Sequence, residues 1–155
     1  MLTHIDKNGN AKMVNISEKL ITQRLAIASG IITMKNKTLD LVKSQSHKKG
    51  DVLTVSKIAA IQAAKNTATL IPMCHPVALS SIEIEFEINE KDLSIKCIAT
   101  TQCSAQTGVE MEALTAVSVG LLTIYDMCKA ADKGMTITNI SLLKKTGGAS
   151  GLWEK

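Results

Sequence analysis

Aromatic rings are nearly missing from this chain: one Phe, one Trp and one Tyr, 2% of 155 residues, and a single arginine, Arg24. Proteins that read nucleic acid rely on arginine forks and stacking rings, so the net charge of +4 does not point to a polymer. Lysines pair up only at Lys48-Lys49 and Lys144-Lys145, each beside a glycine-containing turn. Two small basic spots suit a compact phosphorylated ligand. Cys74, Cys97, Cys103 and Cys128 form no CxxC pair and have no histidine at zinc spacing, which argues against a required transition metal and against a secreted disulfide framework, leaving buried thiols. Residues 1–10 are polar and no apolar run reaches the length that spans a bilayer; the expectation is no signal peptide, no membrane and a cytoplasmic location. What remains, with 45% hydrophobic content, is one domain over 1–155 with a substantial core. It has a flexible N-terminal arm over about 1–13 and a glycine-rich segment over about 144–155.

Along the chain, Arg24 to Met34 reads as a strand and Leu39 to Val42 as a short helix. His47-Lys48-Lys49-Gly50 is a loop, and Asp51 caps a helix running to about Leu70. Val52, Val55, Ile58 and Ala59 give that helix its period. Pro72 and Pro76 bracket a loop that cannot continue it. Ile82, Ile84, Phe86 and Ile88 alternate with Glu83, Glu85 and Glu87 in a strand covered on one face. Leu93 to Thr101 completes a hairpin, and Met135 to Leu143, after a stop at Gly134, makes the last strand. The order predicts an α+β fold of the ferredoxin-like β-α-β-β-α-β kind. That order serves RNA-binding modules, regulatory domains and enzymes alike. The outward glutamates would repel a phosphate backbone, which counts against RNA; a nucleotide-binding regulatory module of the same fold stays as the alternative to an enzyme.

Thr107 to Lys129 reads as one long helix, apolar or small on every face between Ala113 and Ile124, with carboxylates only near its ends. Such a helix should be buried, and charge on a buried helix must be paired or neutralised. Asp126 and Lys129, three residues apart, share a face. They suit a helix-end ion pair or acid/base chemistry. Glu110 and Glu112 read either as first-turn acids favoured by the helix dipole or as binding groups. Lys49-Gly50, just before a helix start, is a candidate anion site, against the plainer reading of an exposed basic turn. Lys144-Lys145-Thr146-Gly147-Gly148 lacks the order of a P-loop. His75, held between two prolines, could exchange a proton near neutral pH.

Taken together, His47-Lys48-Lys49-Gly50-Asp51, Ile71-Pro72-Met73-Cys74-His75-Pro76, Thr107-Gly108-Val109-Glu110-Met111-Glu112-Ala113-Leu114-Thr115 and Tyr125-Asp126-Met127-Cys128-Lys129 closely resemble the cyclic pyranopterin monophosphate synthases of molybdenum cofactor biosynthesis. The resemblance runs from Leu2-Thr3-His4 to Gly147-Gly148. It implies a lyase that converts 3′,8-cyclo-7,8-dihydro-GTP, the product of a preceding radical enzyme, into cyclic pyranopterin monophosphate and pyrophosphate. Asp126 and Lys129 match the catalytic pair, with Lys49 and Lys145 also in the active site. Met73, Cys74 and His75, and Glu110, Met111 and Glu112, match substrate-contacting segments, and Arg24 a phosphate-binding position. No cofactor is implied, and whether Mg²⁺ accompanies the triphosphate stays open. Ala149 and Gln106 stand where relatives often carry basic residues, a departure that touches phosphate contact.

An apolar helix with only one sheet to cover it calls for another partner. Ala113, Ala116, Ser118 and Gly120 are small enough to admit a second chain, so a homo-oligomer is expected, and the resemblance implies a hexamer, a trimer of dimers. Glu112 and Asp126 lie fourteen helical steps apart, about 21 Å along the axis. Either an extended substrate bridges them or each site draws one from each of two subunits.

Overall fold

The computed structural model describes residues 4–44 and 50–155. Strand β1 (Thr22–Thr33) is followed by helices α1 (Asn36–Lys43), α2 (Val52–Lys65) and α3 (Thr67–Leu70), strands β2 (Ser81–Asn89) and β3 (Ser94–Ala105), helix α4 (Glu110–Cys128), and strands β4 (Thr136–Thr146) and β5 (Trp153–Glu154). The fold is α+β. All five strands join one antiparallel sheet in the order β2-β3-β1-β4-β5. Helix α4 lies over β1, β3 and β4, and α2 packs beside it and reaches β2. Ala26, Ala28 and Ile32 of β1 and Ile95, Cys97 and Ala99 of β3 present the buried face of the sheet, against Ala113, Val117, Leu121 and Ile124 of α4.

Asp51 starts α2 as expected, its Oδ1 accepting from the backbone N–H groups of Leu53 (3.0 Å) and Thr54 (3.1 Å). These bonds, with one from the Thr54 hydroxyl at 2.6 Å, hold its carboxyl below the usual range. The helix does not run unbroken to Leu70. Thr67 Oγ1 donates to the carbonyls of Ala63 and Ala64 and Asn66 Nδ2 to that of Gln62. The Asn66 N–H also bonds the Gln62 and Ala63 carbonyls at 3.1 Å, so side chains and backbone together close the helix, and a single separate turn, α3, follows.

Three further expectations are corrected. Helix α4 begins at Glu110 rather than Thr107 and ends at Cys128, beside the expected Lys129; the turn between it and Gly134 folds around Asp132, which is 3% exposed and accepts from the N–H groups of Lys35 (2.9 Å) and Gly134 (3.0 Å). The last long strand continues past Leu143 to Thr146, so Lys144 and Lys145 sit on a strand rather than in a glycine-rich tail. Lys145 pairs with Trp153 of the short β5. Finally, α2 covers part of the side of α4 that the sheet leaves open, while Leu122 stays exposed. Ala113, Ala116 and Gly120 are fully buried within the chain, and a Cβ placed on Gly120 would lie 3.3 Å from Ala60 Cβ. At Gly120 it is α2 that takes the room left by the small residue. By length (19 residues) and mean hydropathy (1.3 over an 18-residue window) α4 is long and apolar enough to cross a bilayer, contrary to the expectation from the sequence, but half of that window is buried inside the protein, as in the core helix of a globular domain.

Candidate active site

The loop bracketed by Pro72 and Pro76 brings Met73, Cys74 and His75 against the first turn of α4, where Glu110, Met111 and Glu112 project. Thr107 and Gly108 form the floor, and His4, Val14, Ile16 and Lys19 of the N-terminal arm close a cavity of about 230 Å³. Glu112 is 4% exposed. Burial pushes its carboxyl above the usual glutamate range, and the charge of Glu110 adds to the effect. Burial likewise raises the Cys74 and Cys103 thiols, with Glu112 contributing to both. The Cys97 thiol, deep in the core, is pushed up to about 12. Such thiols stay protonated at neutral pH and are poor nucleophiles.

A second cavity of about 630 Å³ adjoins the first and shares Lys19, Thr107, Gly108 and Glu110 with it. Its character is cationic, from Lys19, Arg24 and Lys145. Pairing of Ala26 with Lys145 across β1 and β4 sets Lys145 two residues along from Arg24. Arg24 Nε donates to the Ala105 carbonyl at 3.2 Å, and its guanidinium lies against Gly148, where any Cβ would overlap it. Gly147 and Gly148 have φ of +93° and +71°, the left-handed region that glycine enters without cost. The turn they make carries Ser150 back to accept a hydrogen bond from Lys145 Nζ. Ala149 lines this cavity without adding charge.

Met73, Cys74, His75, Glu110, Met111, Glu112, Arg24 and Lys145 are thus brought to one double cavity. Asp126 and Lys129 are not. They sit at the far end of α4, about 21 Å from Glu112 along the axis, as a 2.6 Å ion pair with side chains 61% and 53% exposed. The expectation that these charges are buried is therefore corrected; the pair raises the Lys129 ammonium above its ordinary value. Lys49 falls outside the described residues. Reading the sequence missed Lys19 as part of the site and named Gln106 only as a departure that touches phosphate contact. Gln106 Nε2 donates to the carbonyls of Ser17 (3.1 Å) and Lys19 (2.9 Å), a contact across 87 residues or more that no local pattern announces. His4 lay in the stretch of resemblance without a role. Among the described residues, no group of three or more His, Cys, Asp or Glu could hold a metal ion.

The profile of the MoaC family matches residues 13–148, most of the chain. Among solved structures, the ferredoxin protease FusC in complex with Arabidopsis ferredoxin is similar at 8% identity and a TM-score of 0.33, over 67% of this chain. This chain spans about 10% of the length of that one, and a likeness so slight carries no argument.

Proposed function

Because the chain belongs to the MoaC family, and is thereby a lyase of molybdenum cofactor biosynthesis acting on a GTP-derived, pterin-forming substrate, we propose that the double cavity is where 3′,8-cyclo-7,8-dihydro-GTP becomes cyclic pyranopterin monophosphate. The observation that carries this reading is the division of charge. Glu112, His4 and His75 line one cavity alone, Arg24 and Lys145 line its neighbour alone, and Lys19 and Glu110 stand where the two meet.

In this reading the purine-derived ring enters the acidic cavity, where Glu112 accepts hydrogen bonds from its guanine-like N–H edge. His75 stands at that ring to move a proton, and Met73, Cys74, Met111 and Glu110 shape the walls. The triphosphate extends into the cationic cavity. Closing the cyclic phosphate expels pyrophosphate, and fixed cations are what stabilise the charge that develops there. Arg24 and Lys145 supply fixed cations, with Lys49, which precedes α2 in the sequence, as a third. Mg²⁺ travelling with the triphosphate would fit the same cavity; no resident cofactor is needed.

Opening the five-membered ring and closing the pyran require further proton transfers, a role for Asp126 and Lys129. Their separation from Glu112 leads us to place them in the site of a second copy. Their outward position, on the α4 face that also exposes Met111 and Leu122, supports that assignment. Family membership supports oligomeric assembly in general, and a hexamer of three dimers is our proposal for it. We also read the strand order β2-β3-β1-β4 with both long helices on one side as the ferredoxin-like arrangement, and the protein as a cytoplasmic one, with no nucleic acid or membrane partner.

Incubation of the purified protein with cyclised dihydro-GTP tests the reaction. The expected result is the cyclic pterin monophosphate with one pyrophosphate per turnover, identified by mass and phosphorus NMR. Tight binding with no product would instead indicate a nucleotide-binding module.

A further inference from the structure

The N-terminal arm is fastened over the site by one side chain. Residues 15–19 turn back on themselves, with the Ser17 N–H bonded to Asn15 Oδ1 at 2.9 Å and the Lys19 N–H to the Ile16 carbonyl at 2.9 Å. Both hydrogens of the Gln106 amide are then used on this turn, one on the Ser17 carbonyl and one on that of Lys19. Two carbonyl acceptors fix which way the amide faces, since only its NH₂ can serve them. Gln106 immediately precedes Thr107 and Gly108, the floor common to both cavities, and Lys19 is the basic residue that lines both.

We propose that Gln106 is a positioning residue that holds Lys19 at the junction of the two cavities, where the ammonium engages the phosphate group nearest the reacting ring. Arg24 and Lys145 stand in the cationic cavity only. Lys19 alone among these cations is placed to report whether the ring and the phosphate chain are seated together. Its anchoring by a neutral amide leaves its whole charge for the ligand. The inference rests on the substrate reading above, and the experiment separates the two.

Gln106→Met keeps the side-chain length and removes both donors. The expected result is about a tenfold fall in kcat/KM for cyclised dihydro-GTP, carried mainly by KM, as loss of one charge-assisted hydrogen bond implies. Lys19→Ala should give the same fall, and the double variant no further fall, because Gln106 acts through Lys19. Independent of turnover, trypsin should cut the Lys19–Leu20 bond faster in Gln106→Met than in the wild type, with the melting temperature of the two proteins alike. Pyrophosphate should slow that cut in the wild type and fail to do so in Gln106→Met. Additive losses in the double variant, or an unchanged KM, would overturn the proposal. Should the wild type form no product, the lyase reading falls; the tether is still decided by proteolysis, and equal cutting of the two proteins would overturn it.

Discussion

At the scale of single residues, the site turns on carboxylates whose surroundings differ. Glu112 is buried beside Glu110 and is held above the ordinary glutamate range, so its ionised form costs the folded state. Below the ordinary range both folded and unfolded forms are protonated and nothing is lost; the penalty grows as pH rises and is complete above the raised folded value. Glu112→Gln should therefore melt at a higher temperature than the wild type at pH 7, and the difference should vanish near pH 4, both read by calorimetry. An N–H edge donating to Glu112 stabilises the ionised form, so substrate affinity should rise with pH through the raised value. The glutamine variant should lose that dependence and bind about ten- to a hundredfold more weakly. Asp132 shows the opposite case: hydrogen bonds from the Lys35 and Gly134 backbone hold its carboxyl down. No local pattern announces it, since its partner Lys35 is 97 positions away.

At the scale of elements, much was legible where the pattern is local. The alternation of Ile82 to Ile88 with glutamates became β2, the Asp51 cap began α2, and the long apolar stretch became α4. What local pattern does not carry is the identity of the neighbour. Uniform apolarity of α4 was read as room for another chain, yet at Gly120 the room is taken by α2, and the exposed apolar part of α4 lies at Met111 and Leu122. Val52, Ser56, Ala60, Ala63 and Ala64 give α2 a face of mostly small residues for that approach. The two-residue β5 was missed because so short a strand shows no alternation. The close approach of α2 and α4 predicts that Gly120→Leu is destabilising. A Cβ there already meets Ala60 at 3.3 Å and the Cys97 sulfur at 3.4 Å, and overpacking should cost about 2 kcal/mol net. Urea unfolding should show a lower midpoint with an unchanged slope; equal stability would mean the helices part easily.

At the scale of the whole molecule, motifs scattered from Arg24 to Lys145 are gathered by strand pairing and by the Pro72–Pro76 loop into one double cavity, and this gathering is what resemblance to a family could imply but periodicity could not. The same geometry strands Asp126 and Lys129 on an outward face. One copy of the chain therefore holds a substrate-binding half and, about 21 Å away on the same helix, the half we assign to catalysis. We propose that the two halves meet between copies. Glu112→Ala and Asp126→Ala proteins, each inactive alone, can be dissociated, mixed in equal amounts and reassembled, and their turnover of cyclised dihydro-GTP measured. Random assortment should restore about a quarter of wild-type activity, the share of sites that draw an intact residue from each of two subunits. A mixture that forms hybrid assemblies yet stays as inactive as its components, or a verified monomer with full activity, would contradict the account.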